Sequence, residues 1–201
     1  MASSSSSNHD ACNTEQELQT LWSTSFDGWV DVPRHPPGVV YLRPAKEDEA
    51  SLASSNESIP SVVRDCTGGI FALTAFNPMG QDTPLAENRA ANQRLAEELQ
   101  ARMQPPPLHI WQAFGFAQDW REDGFVVAFG GTERTGEQAV RDLADKYRQG
   151  AIYEFVPILN GDSIVGLRRK TIPVEMEHVE ADVIVVPCKK PDVANAELTI
   201  S

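Results

Sequence analysis

Basic residues are scarce. The 201-residue chain has 17 Lys and Arg against 29 Asp and Glu, for a formal net charge of −12. A nucleic-acid surface needs clustered cations, so that class is excluded, and an anionic membrane face is disfavoured for the same reason. Long apolar runs are missing too. None approaches the ~20 residues of a spanning helix, so no membrane partner is expected. The three cysteines, Cys12, Cys66 and Cys188, are too widely spaced for a disulfide framework or paired zinc ligands. His9, His35, His109 and His178 are equally scattered. No metal and no cofactor is therefore expected, and a reducing, cytoplasmic setting follows. Neither a G-x-S-x-G elbow nor an H-E-x-x-H pair occurs, and catalytic residues stay unknown.

What is present begins with a serine run, Ser3 to Ser7, followed by acids; the first basic residue is Arg34. An Arg-rich transit peptide is excluded, and residues 1–15 read as a disordered tail. Residues 16–190 read as one α+β domain with its core at 69–156, a flexible acidic loop at 45–60, and a frayed tail at 191–201. Leu18, Leu21 and Trp22 can share a short helical face, and Val39–Leu42 reads as a strand. Gly69–Phe76 is a buried strand stopped by Asn77-Pro78. Thr83-Pro84 opens a helix reaching about Met103, with Thr83 as its cap. Leu108–Phe116 and Gly124–Phe129 form a hairpin across the polar turn Gln118–Asp123, in which Arg121, Glu122 and Asp123 are solvated. A second helix spans Gly136–Gln149, closed by Gly150, and Ala151–Val156 is the last strand of this unit. The order strand, helix, strand, strand, helix, strand predicts a ferredoxin-like split βαβ two-layer sandwich. The strand at 39–42, a hairpin across Asn160-Gly161 and a strand at 183–186 are additions to it. Arg168-Arg169-Lys170 reads as an edge-strand guard.

The most informative element is the first long helix. Leu85, Asn88, Asn92, Leu95 and Leu99 recur at alternating spacings of three and four, which places them on one stripe. If the leucines face the sheet, so do the two asparagines, and buried amides require partners. The Asn77-Pro78 turn and the Thr74 hydroxyl lie near, and Glu87 is the nearest titrating group. Thr74, Asn77, Glu87, Asn88 and Asn92 are thus the candidate ligand-binding set. Two readings stand: a hydrogen-bond network that pins the loop 77–83, or a pocket for a small anionic or amide-bearing ligand at the helix N-terminus.

The run Thr74-Ala75-Phe76-Asn77-Pro78, followed by Glu87-Asn88, Asn92 and Leu95, resembles the signature of the domain of unknown function family 3293, an uncharacterised family best known from bacteria. The later strand ending near Phe129, the helix and Gly150-Ala151-Ile152-Tyr153 look similar as well, so the resemblance covers roughly residues 69–156. It implies a small soluble α/β domain and supplies no activity or catalytic residue. A non-catalytic binding or regulatory domain, with a small-molecule ligand or a protein partner, is favoured. An enzyme acting on a small polar metabolite at the Asn77, Asn88, Asn92 cluster is the alternative, and a structural interaction module the second.

Gly131 to Gly136 has the G-x-x-x-x-G spacing of a phosphate loop, but Glu137 occupies the lysine position and would repel phosphates. ATP and GTP are therefore expected not to bind. Equilibrium dialysis showing saturable micromolar binding of either would contradict this reading.

Overall fold

The computed structural model describes residues 15–46, 58–132, 134–177 and 179–197. The expectations for the first tail and for most of the 45–60 loop fall outside these residues. Among the described residues eight strands are formed: β1 (Phe26–Val30), β2 (Val39–Pro44), β3 (Gly69–Thr74), β4 (His109–Phe116), β5 (Arg121–Phe129), β6 (Ala151–Asn160), β7 (Ser163–Pro173) and β8 (Asp182–Cys188). Three α-helices accompany them: α1 (Glu15–Thr24), α2 (Leu85–Ala101) and α3 (Glu137–Lys146). Every strand pairs antiparallel with its neighbours in the order β1-β2-β8-β7-β6-β3-β5-β4, and β1 pairs back onto β4. The sheet is a closed barrel.

This corrects the expected two-layer ferredoxin-like sandwich. Strands β6, β3, β5 and β4 do stand side by side, with α2 and α3 in their connections. A four-stranded sheet would leave two open edges and one uncovered face. Phe125 to Phe129 is apolar at every position, as is most of Gly69 to Leu73, so these strands need cover on both faces. Here β7 occupies the outer edge of β6, β1 occupies that of β4, and β2 and β8 complete the circle. The β6–β7 hairpin turns at Gly161-Asp162, with Asn160 facing Ser163.

Strand alternation sorts the core into two layers. Trp29, Leu42, Ile70, Val126, Ala128, Phe155, Leu167 and Val185 fill the barrel. Phe71, Leu73, Val127 and Phe129 point outward onto Leu95 and Leu99 of α2 and Val140 and Ala144 of α3. The barrel interior is stoppered at one end by Ile59, Val62, Val63 and Cys66, around the 3₁₀ turn Ser61–Asp65. Burial pushes the Cys66 thiol up to about 11, so it is an inert packing group. Near the other end, Leu18 of α1 packs on Met176 and Val179, beside Trp22 and Met79.

Local details differ from the sequence reading for simple reasons. Thr83 does not cap α2; its hydroxyl donates to the Gln81 carbonyl, and Pro84 precedes the first helical residue. Gly150 does not end α3 by a left-handed turn. Arg148 takes that conformation, at φ 54°, while Gly150 allows close approach, because a Cβ there would meet Met176 Sδ at 2.6 Å. Residues 192–197 lie against the outside of the barrel with Ala196 fully buried, and Tyr41 donates to the Ala196 carbonyl at 2.8 Å. No α-helix among the described residues is long and apolar enough to cross a membrane.

Where β5 meets β3, a Cβ added to Gly124 would lie 2.5 Å from the Leu73 carbonyl oxygen and 3.1 Å from Thr74 Cβ. Gly124→Ala must therefore move one strand. A stability loss of about 1–3 kcal/mol is expected by urea denaturation, and an unchanged midpoint would contradict the close approach.

Candidate functional site

The inward-facing residues change character along the barrel. Toward the stoppered end they are bulky and apolar. Toward α1 they become small or polar: Ala72 and Thr74 on β3, Ala113 and Gly115 on β4, Gly124 and Glu122 on β5. Small side chains leave space, and a cavity of about 260 Å³ opens there. Trp22, Trp29, Trp120 and Tyr153 provide aromatic wall, and Leu18 and Leu21 of α1 line it from above.

Glu122 is the group that most distinguishes this cavity. It lies two residues before Gly124 and four before Val126, on the face that points inward. Its Oε1 accepts a hydrogen bond from Asn77 Nδ2 at 2.9 Å, and the Trp120 side chain lies close enough to favour the carboxylate slightly. Both groups are neutral. Burial outweighs them and pushes the carboxyl up to about 7, so it holds its proton into the neutral range.

Asn77 is placed by the residues that the sequence singled out. It adopts a left-handed conformation, φ 44° and ψ 62°, which asparagine tolerates. Its Oδ1 accepts from Asn88 Nδ2 at 2.8 Å and from the Thr83 amide at 3.2 Å. Its own amide donates to Asn88 Oδ1 at 2.9 Å. Asn88, 4% exposed, also donates to the Thr83 carbonyl at 3.1 Å. Asn92 Oδ1 accepts from the Ala75 amide at 3.3 Å. Thr74 Oγ1 donates to the Asp123 carbonyl at 2.6 Å and accepts from the Phe76 amide at 3.0 Å. Gln149 Nε2 adds a bond to the Phe76 carbonyl at 3.0 Å.

Thr74, Asn77, Asn88 and Asn92 are thus gathered around one turn, whereas Glu87 is exposed on α2. Thr74 and Asn77 line the cavity. Asn88 and Asn92 grip the turn from outside, and Asn88 borders a shallower surface hollow with Asn77 and Arg121.

Across the cavity lies a buried ion pair. Asp27 Oδ2 is 2.5 Å from Arg169 Nη1, and the side chains are 6% and 1% exposed. Arg169 also donates to the Ser25 carbonyl at 3.2 Å and to the Trp22 carbonyl at 2.6 Å. The latter carbonyl belongs to the last turn of α1, where helix carbonyls lack intrahelical donors. The guanidinium stands over the Tyr153 ring, 4.9 Å from its centroid. Burial pushes the Asp27 carboxyl up against the pull of Arg169, and it raises the Tyr153 hydroxyl above its ordinary value. Ser25 lies close enough to favour the Tyr153 phenolate slightly. Neither hydroxyl makes a hydrogen bond of normal geometry, and Arg169 Nε and Thr171 Oγ1 also lack one.

Two sequence readings are corrected here. Arg121 to Asp123 are not a solvated turn. The Ala117 amide bonds to the Trp120 carbonyl at 2.8 Å, so the turn is tight and β5 begins at Arg121. Glu122 then faces in, while Arg121 pairs with Asp123 and covers the Phe114 ring outside. Arg168 to Lys170 do not guard an edge, because β7 is paired on both sides. Alternation turns Arg169 inward and leaves Arg168 outside, on Asp182. Glu122, Asp27, Tyr153 and Arg169 were missed; period-two alternation from Val126 and Leu167 was the signal that could have found Glu122 and Arg169. Among the described residues, no group of three His, Cys, Asp or Glu side chains is arranged to hold a metal ion.

No curated protein and no solved structure matches the chain. Part of it does match a family: residues 73–152, from the end of β3 into β6, fit the family model described as Protein of unknown function (DUF3293). That stretch contains the Thr74–Pro78 run, Asn88, Asn92 and Glu122, so the resemblance first carried by the asparagine turn is shown over the part of the chain that builds one wall of the cavity, and residues 73–152 are a DUF3293 match.

Proposed function

We propose that this chain is a non-catalytic small-molecule-binding domain whose ligand occupies the cavity at the α1 end of the barrel. The observation that carries the reading is Glu122: a partly buried carboxyl held toward an aromatic-walled space by the neutral Asn77 side chain, and desolvated enough to titrate near 7. Barrel mouths are common ligand sites, and an apolar pocket with a few convergent polar groups is the usual form. In this reading Thr74 and Asn77 belong to the pocket wall. Asn88 and Asn92 are positioning residues, acting through the turn they hold. A cytoplasmic setting is part of the proposal, supported by Cys66 being a buried thiol.

An enzyme is the second reading, moved from the asparagine cluster to Glu122. A carboxyl titrating near 7 can give and take a proton at neutral pH, as a general acid or base must.

The ligand reading is tested by thermal melting of the full chain against a panel of small metabolites. At least one should raise the melting temperature by mass action, and Ala72→Leu, which fills the cavity, should abolish that shift. A panel without effect, or shifts that survive in Ala72→Leu, would sink the reading.

The positioning role gives a separate prediction. Asn88→Ala strands the Asn77 amide and side chain together, and should cost roughly 1–3 kcal/mol in urea unfolding. A neutral result would mean that the turn is held without it.

A third prediction concerns acid–base linkage. Glu122 titrates higher in the folded chain, about 7, than its ordinary 4.5. Folding is thus favoured by its proton below pH 4.5, and that contribution is lost as pH rises toward 7, reaching about 3 kcal/mol. Glu122→Gln keeps the shape without the charge. The variant should be more stable than the natural chain at pH 8, with the difference fading to nothing by pH 4. A constant difference across this range would show that Glu122 is not desolvated.

A further inference from the structure

We infer that the ligand is an organic amine with a flat apolar body, its ammonium group docked on Glu122. This rests on the cavity reading and adds the chemical class. Charge is the first support. The cavity is lined by Asp27, Asp82 and Glu122, and among the described residues no Lys, Arg or His lines it. Of these acids, Asp27 is neutralised by Arg169 from behind, and Asp82 is exposed at the rim. Glu122 has only the amide of Asn77 and the Trp120 side chain as partners. An ammonium group would be the cation that this carboxyl lacks. Above pH 7, where Glu122 carries its charge, phosphates and carboxylates would be repelled, which disfavours the anionic ligand considered from the sequence.

The walls are the second support. Trp22, Trp29, Trp120 and Tyr153 surround the space, and aromatic rings attract a desolvated cation while burying its apolar body. The third is the Tyr153 hydroxyl, buried and without a normal hydrogen bond in the same cavity. Its oxygen can accept from an N–H. The titrating and charged groups that face Glu122 across the space are therefore Asp27 with its Arg169, Asp82 and Tyr153, and none of them supplies a free positive charge.

The experiment uses the full chain and three isosteric probes, 2-phenylethylamine, 2-phenylethanol and phenylacetate. The readout is tryptophan fluorescence, since three of the four tryptophans line the cavity. At pH 8 the amine should quench saturably and at least tenfold more tightly than the alcohol, and phenylacetate should not bind. Because Glu122 must lose its proton to receive the ammonium, amine affinity should fall about tenfold between pH 8 and pH 6. The alcohol's affinity should not change. Glu122→Gln should reduce the amine to the level of the alcohol. Alcohol binding as tight as the amine, a flat pH profile in the natural chain, or an amine preference that survives in Glu122→Gln would each overturn the amine assignment while leaving the cavity reading intact. Silence from all three probes also overturns it, and the cavity reading then stands or falls on the Ala72→Leu comparison.

Discussion

Residues 69–73 of β3 and 125–129 of β5 are apolar on both faces, and such stretches must be covered twice. The outer cover comes from α2 and α3. The inner cover can only come from the sheet itself, bent round until its far wall meets its near one. Once the sheet has closed, each alternate residue on eight strands is committed to a common interior. That interior is packed with large side chains toward the 3₁₀ stopper and with small ones toward α1. The cavity is the volume left by Ala72, Ala113, Gly115 and Gly124, and its polarity follows from which charged residues fall on the inward phase.

Two polar systems meet that interior from opposite sides. On one side the asparagines of α2 lie outside the barrel, yet their influence passes through the wall. Asn88 orients Asn77, and Asn77 donates inward to Glu122. On the other side Arg169 reaches from within to the carbonyls at the end of α1 and to Asp27. Removing one member of a fully buried pair leaves an uncompensated charge, typically costing about 3–5 kcal/mol, so Asp27 and Arg169 depend strongly on one another. The asparagine network pins the turn, and the turn presents the Asn77 side chain to the cavity.

The asparagine stripe was legible because spacings of three and four define a helical face without tertiary information. The turn at Asn77-Pro78 was legible because proline and asparagine have strong local preferences. Closure was not. Phe26 to Val30 contains Asp and Gly, which strands disfavour, so β1 has no local signature and becomes a strand only by pairing with β2 and β4. Without it the sheet stays open on paper. Glu122 was lost through the hairpin turn being drawn too long, and Arg169 through a triplet being read as one block of charge when β structure splits every triplet between two faces.

The pairing of β2 with β8 sets Tyr41 opposite Cys188. These strands stand near the two ends of the described chain, and their junction is a seam that cannot form until almost everything between them has been made. Contacts of such sequence separation carry a large loop-closure entropy and slow the final step of folding. During synthesis, β3 to β6 with their two helices can begin to assemble while the interior face of their sheet is still open to water. That face is apolar, so the chain passes through a stage exposed to aggregation before its last strand emerges. The seam thus completes the barrel last, whereas the residues that line the cavity lie on α1, β1 and β3 to β6, with Met176 after β7, and all precede β8 in the chain.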